Sequence, residues 1–337
     1  MGIASARPPL PEARGPLSAT LRDVLRGEPA DTRDLPTFPD ADVWSDDIQL
    51  ALYICYELHY RGFHDVDDGW EWDPALLKLR GAMEDAMLGR LRDELGPVPD
   101  SAEQIGRLLA PSDGKGSTSA FLLDEGKRWQ VQEYLAARSL YHLKEADPQT
   151  WAIPRTHGAA QSVLVALQYD EYGGGRPEWV HARLFADMMS AWGLDATYGA
   201  QLDAAPWQAM AVVNLMSLFG LHRAHRGALL GQFARAEITS PPSSRRLVEA
   251  FQRHDVAEPG YQFYSEHVEA DAVHAQLVRR GVLDNVLRDE PEMEADVAFG
   301  LAASGFTDTL LAELLLERWR AGESALYGEA RLSSASA

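Results

Sequence analysis

The segment His267-Val-Glu-Ala-Asp271-Ala-Val-His274 places two imidazoles and a carboxylate at i, i+4 and i+7. At about 100° per residue these positions fall within roughly 60° of one another around a helix, so the three side chains share one face. Two nitrogens and an anionic oxygen held this way make a metal half-site; an acidic, solvated stripe is the plain alternative. Glu178-Trp-Val-His181 offers a second pairing at i, i+3, the spacing with which di-iron carboxylate bundles present ligands. Its plain alternative is a glutamate stabilising a helix start after Pro177. Three further carboxylates close apolar stretches: Glu145 before Asp147-Pro148, Glu171 before Gly173-Gly174-Gly175, and Glu237 at the end of a long apolar run. A carboxylate at a helix C-terminus is opposed by the helix dipole, and a buried cation would compensate it. One mononuclear iron needs two histidines and one carboxylate. Three histidines and up to five carboxylates are available here, which favours two metals.

These residues must be positioned by helices, because helical periodicity runs through almost the whole chain. Apolar residues recur at helical spacing over 43–60, 74–95, 101–109, 128–146, 159–172, 177–192, 207–237 (interrupted near Gly220), 243–253, 261–280 and 292–321. Strand-like alternation is missing. The expected fold class is all-α, a bundle of about nine or ten helices. The organisation expected is a mostly extended arm over 1–40 with one short helix near 17–26, a helical extension over 41–110, a main domain over 120–325 and a disordered tail over 326–337. The loop Pro111-Ser-Asp-Gly-Lys-Gly-Ser-Thr118 marks the internal boundary.

Bulk properties narrow the function. A net charge of −20 repels phosphate backbones and anionic membrane surfaces, so neither nucleic acid nor membrane is an expected partner. No apolar run reads as long enough for a membrane span, and the N-terminal residues lack the apolar stretch of a secretory signal. The single cysteine, Cys55, excludes an internal disulfide and sits in an apolar run, as a buried inert thiol would; a cytoplasmic location is expected.

The ligand pattern resembles that of the haem-oxygenase-like di-iron oxidases, the iron-containing redox enzymes, over roughly residues 125–325. That family carries His-x3-Asp-x2-His on one core helix, similar to His267, Asp271 and His274. It carries Glu-x2-His on another, similar to Glu178 and His181, and a glutamate about thirty residues before the triad, similar to Glu237. Glu171, ten residues before His181, resembles the additional carboxylate of the N-oxygenase branch, and Glu145 falls at a spacing like that branch's. The resemblance implies a haem-oxygenase-like bundle with the N-terminal helices as an extension, two Fe(2+) per chain, and O2 as co-substrate. It further implies a small amine or amino-acid substrate and an external electron donor. N-oxygenation is the leading activity; desaturation, C–C cleavage or oxidative decarboxylation of an amino or fatty acid by the same cofactor is the alternative. The helices of 41–109 are candidates for joining a homodimer.

Other polar and aromatic groups have plainer readings. Glu57 with His59, and His64 with Asp67 and Asp68, are irregularly spaced and read as structural or solvated. His222 and His225 read as surface residues. Arg223, Arg226 and Arg235 could each meet a substrate carboxylate, and Tyr261, Phe263 and Tyr264 could line a cavity. Gly173-Gly174-Gly175 follows a helix, so it is no phosphate loop. A haem-handling protein would need one proximal histidine and no carboxylate cluster; a non-catalytic helical module would have lost ligands.

Overall fold

The computed structural model describes residues 7–29, 35–38, 41–328 and 330. It is helical, with no strand among the described residues. The expected tail falls largely outside them, but its first residues are docked: Tyr327 donates to Asp46 at 2.6 Å.

Four helices form the N-terminal part: α1 (Pro16–Leu25), α2 (Asp46–Glu57), α3 (Pro74–Leu95) and α4 (Ser101–Leu109). Starts and stops follow local chemistry. Asp73 accepts from the backbone of Ala75 and Leu76 to cap α3, Pro74 fills its first position, and Gly96 ends it at φ 56°. Then come α5 (Thr118–Asp124), α6 (Arg128–His142), α7 (Asp147–Thr150), α8 (Gly158–Glu171) and α9 (His181–Ala191). The last five are α10 (Trp207–Leu221), α11 (Arg226–Gln252), α12 (Gln262–Gln276), α13 (Asp284–Asp289) and α14 (Glu294–Arg320). A π-helical stretch, Leu277–Leu283, continues α12.

The centre of the bundle is α11, packed against α5, α10, α12 and α14. It crosses α14 at backbone contact. A Cβ at Gly231 would collide with the Val297 carbonyl, and one at Gly300 with the Ala228 carbonyl. Replacing Gly300 with Val should therefore force α11 and α14 apart and destabilise the fold by about 3 kcal/mol or more; an unchanged denaturation midpoint would refute this crossing.

Two features depart from the sequence reading. The stretch 239–242, read as a break, is helical, and α11 runs on through Pro241 and Pro242. These prolines leave the carbonyls of Glu237 and Ile238 without their usual i+4 donors. The second departure is α14. By length and composition the segment Pro291–Arg320 could cross a membrane. It is apolar because it lies between α10 and α11, with Val297, Leu301, Leu311, Leu315 and Trp319 buried.

The N-terminal helices share this core. α2 packs on α10, and Asn214 donates to the Gln49 backbone and side-chain oxygens at 2.8 and 2.9 Å, both residues buried. α4 is pinned to α14 where Ser101 donates from its amide and hydroxyl to Glu294. Cys55 is buried in α2, and burial pushes its thiol up to about 12, where it stays protonated and inert.

Candidate metal centre

Five elements converge on one buried point. α12 supplies His267, Asp271 and His274 from the single face that their spacing predicts. α8 ends on Glu171, and α9 begins on His181. Between these two the chain turns through Gly173, Gly174 and Gly175 at φ 82°, 59° and 83°. The turn is so close that a Cβ on Gly173 would sit 2.7 Å from the Val180 nitrogen. Glu237 comes from α11. Glu145 lies in the turn between α6 and α7, not on a helix as the sequence suggested; Pro148 cannot continue α6 and restarts the chain in α7. None of these seven residues is more than 8% exposed.

Six of them form two sets, Glu145 with His181 and His267, and Glu171 with Asp271 and His274, each with one ligand atom per residue within 4.8 Å of the others. Glu171 touches both sets: its carboxylate is 2.7 Å from His181 Nδ1 and 3.4 Å from His274 Nδ1. Glu237 lies 3.5 Å from His274 Nδ1, beside the second set.

Glu178 is not brought in. It is exposed, on a single 3-10 turn (Pro177–Trp179), and the extended Val180 separates that turn from α9. The expected Glu-x2-His pair therefore has no common helical face; the glycine turn delivers Glu171 to His181 in its place.

Sequence reasoning missed two contributing side chains and one backbone contact. His142, on the last turn of α6, has Nδ1 3.2 Å from Glu145 Oε2. Its i, i+3 spacing to Glu145 was the available signal. Asp170 has Oδ2 2.8 Å from His274 Nε2, which leaves Nδ1 turned toward the carboxylates. His267 Nδ1–H donates to the Phe263 carbonyl at 2.7 Å, which leaves Nε2 toward Glu145. Such outer hydrogen bonds fix the ring orientation of metal-ligating histidines. Phe263 and Phe185 meet edge to face at 5.0 Å and close an apolar wall behind these rings.

The residues fit metal ions. His181 Nδ1, Glu237 Oε2, Asp271 Oδ1 and His274 Nδ1 are buried with no hydrogen bond of proper alignment. Orphaned buried polar atoms are rare and costly, and four at one point are accounted for by cations. The electrostatics agree. Burial would push Glu171 up, but His181 and His274 hold it down at about 2. Burial lowers His267 and His274, yet the surrounding carboxylates raise them to about 10 and about 11. Burial and the charge of Asp271 push Glu237 up to about 8. Protons thus balance the carboxylates where no cation does.

The Glu145 turn is anchored from outside. Lys144 Nζ is 2.8 Å from Glu57 Oε2, and Tyr198 donates to the same carboxylate at 2.8 Å. Glu57 is thereby a structural anion, not a ligand. Away from this turn, His222 contacts Glu84 at 2.9 Å, and Asp68 pairs with Arg7 at the surface.

A helical bundle with buried carboxylate and histidine sets defines a metal-binding class, and comparison with known proteins gives the family. The model of the iron-containing redox enzymes, a haem-oxygenase-related family, matches residues 132–305, just over half of the chain. The chain belongs to this family and is an iron-containing oxidoreductase by membership. No curated protein matches it. Among solved structures, a domain of unknown function with a heme oxygenase-like fold from Shewanella denitrificans OS217 is similar. It is 18% identical, and the match covers 72% of this chain and 98% of that one, with a TM-score of 0.46.

Proposed function

We propose that the protein is a non-haem di-iron oxygenase that uses O2 to oxidise a small amine-bearing metabolite, by N-oxygenation of an amino acid or related amine. The observation carrying this reading is the pair of three-residue sets with Glu171 between them. Glu145, His181 and His267 would hold one iron. Glu171, Asp271 and His274 would hold the other, with Glu237 as a further carboxylate. The irons, when bound, would supply the redox chemistry with O2, recharged by an external electron donor.

The chain's own residues prepare the site. Phe263 and Asp170 fix the two α12 imidazoles, His142 holds the Glu145 carboxylate, and the Phe185–Phe263 wall limits water. A cavity of about 540 Å³ opens onto this centre between α6, α11, α12 and α14, a size that admits a small metabolite. Loading the protein anaerobically with ferrous ion, adding candidate amines and admitting O2 tests the proposal. O2 uptake coupled to a hydroxylamine, nitroso or nitro product supports it. Uptake coupled only to alkene or CO2 would replace N-oxygenation with desaturation or decarboxylation.

Metal uptake should be strongly pH-dependent. His267 and His274, at about 10 and about 11, are protonated at neutral pH and must lose those protons to act as ligands. Ferrous binding at pH 7 should therefore release two or more protons per chain, and affinity should rise with pH. Calorimetric titrations in buffers of different ionisation enthalpy read this directly; identical heats would contradict it.

The exposed position of Glu178 gives a contrasting expectation. Glu178→Gln should leave iron content unchanged, whereas Glu171→Gln should lose the metal beside it; elemental analysis of the two purified variants decides. The N-terminal helices of 41–109 are proposed to serve a homodimer, tested by molecular mass across a dilution series.

A further inference from the structure

The cavity has a second polar end, on α14. The Arg235 guanidinium lies flat over Gly305: a Cβ there would be 2.8 Å from its central carbon and 3.0 Å from both terminal nitrogens. Arg235 has no ion pair or side-chain hydrogen bond among the described residues. One turn along the same helix, Asp308 takes a single bond from Arg138 at 3.2 Å. Arg138 Nε is buried and makes no hydrogen bond. In a chain of net charge −20, two guanidinium groups with unused donors meet the same strip of α14, in the wall of the cavity that reaches the metal ligands.

This end is turned away from the metals. Arg235 and Glu237 are two residues apart on α11, about 200° around the helix. Glu237 faces His274, and Arg235 faces Gly305. Planar, forked N–H donors match a carboxylate in a two-point contact.

We infer that Arg235, seated on Gly305 and assisted by Arg138, is the subsite for a substrate carboxylate, and that it holds this group at the opposite end of the cavity from the metal centre. The substrate class is then a carboxylate carrying its reactive group, an amine in the reading above, at its far end. This inference rests on that reading for which end reacts. It also disfavours decarboxylation, which needs the carboxylate at the metal.

The test is calorimetric titration of anaerobic ferrous-loaded protein with amino acids that carry an amine or guanidine far from the α-carboxylate (lysine, ornithine and arginine) and with their α-amides. The tightest amino acid should bind at least tenfold more strongly than its amide. Arg235→Gln should erase that preference, and Arg235→Lys should keep part of it. Gly305→Ala, which favours the helix and so keeps the fold, should displace the guanidinium and weaken the preference without removing any charge. Equal binding of acid and amide, an Arg235→Gln variant with the preference intact, or no amino acid bound at all would overturn the subsite. Iron content, measured on each protein, separates the two ideas. A wild-type chain that takes no iron defeats the metal reading, while the same titrations on that metal-free chain still decide the subsite.

Discussion

Replacing His274 with Ala is expected to remove one iron per chain and leave the other. His274 Nδ1 is the point on which the second set converges, with Glu171, Glu237 and Asp271 all within 3.7 Å. Without it three carboxylates face one another in a buried site with no nitrogen ligand, and two of them already compete for protons. The first set keeps Glu145, His181 and His267 intact, so elemental analysis should fall from two irons per chain to about one. His267→Ala should strike the first set in the same way, and the double variant should bind none. Asp170→Asn is the milder counterpart. It removes the charge that orients His274 from outside, and should weaken iron binding roughly 10- to 100-fold without abolishing it. Full iron content in the His274→Ala variant would exclude this residue as a ligand.

The second large effect is on stability. Lys144→Met should destabilise the fold by about 3–5 kcal/mol, because it leaves the Glu57 carboxylate buried and unpaired. Glu57 is fully buried and Lys144 is 2% exposed, so water cannot rescue either partner. Tyr198 would still donate to Glu57, and the ammonium, stacked over Tyr53 and Tyr60 at 4.9 and 4.3 Å, would be gone. Replacing both partners in the Glu57→Gln, Lys144→Met double variant should restore most of the loss, since a buried ion pair is expensive to break and inexpensive to remove. Denaturant unfolding of the four proteins gives the coupling; additive losses would show that the pair does not act as a unit. Because Lys144 precedes Glu145, the single variant should also loosen iron in the first set.

The α12 face was fully legible in the sequence, because periodicity alone puts His267, Asp271 and His274 on one side. Glu171 and Glu237 were legible as carboxylates at the ends of apolar stretches, though α11 in fact continues past Glu237 through two prolines. Glu178 falls outside the cluster for a physical reason: the i, i+3 rule holds only inside a helix, and three glycines at positive φ break the helix just ahead of it. His142 and Asp170 stayed hidden because their partners are other ligand residues, so they matter only once the fold has gathered those residues. Glu57 was read as structural or solvated, and it is structural; its partner was out of reach, since Lys144 lies 87 residues away on another element.

The most direct test of the central claim is anaerobic titration of metal-free protein with ferrous ion, followed by elemental analysis after removal of loosely bound metal. The arrangement of the two three-residue sets predicts saturation at two irons per chain, falling to none when His267 and His274 are both changed to Ala. No retained iron, or retention that ignores those two substitutions, would contradict it.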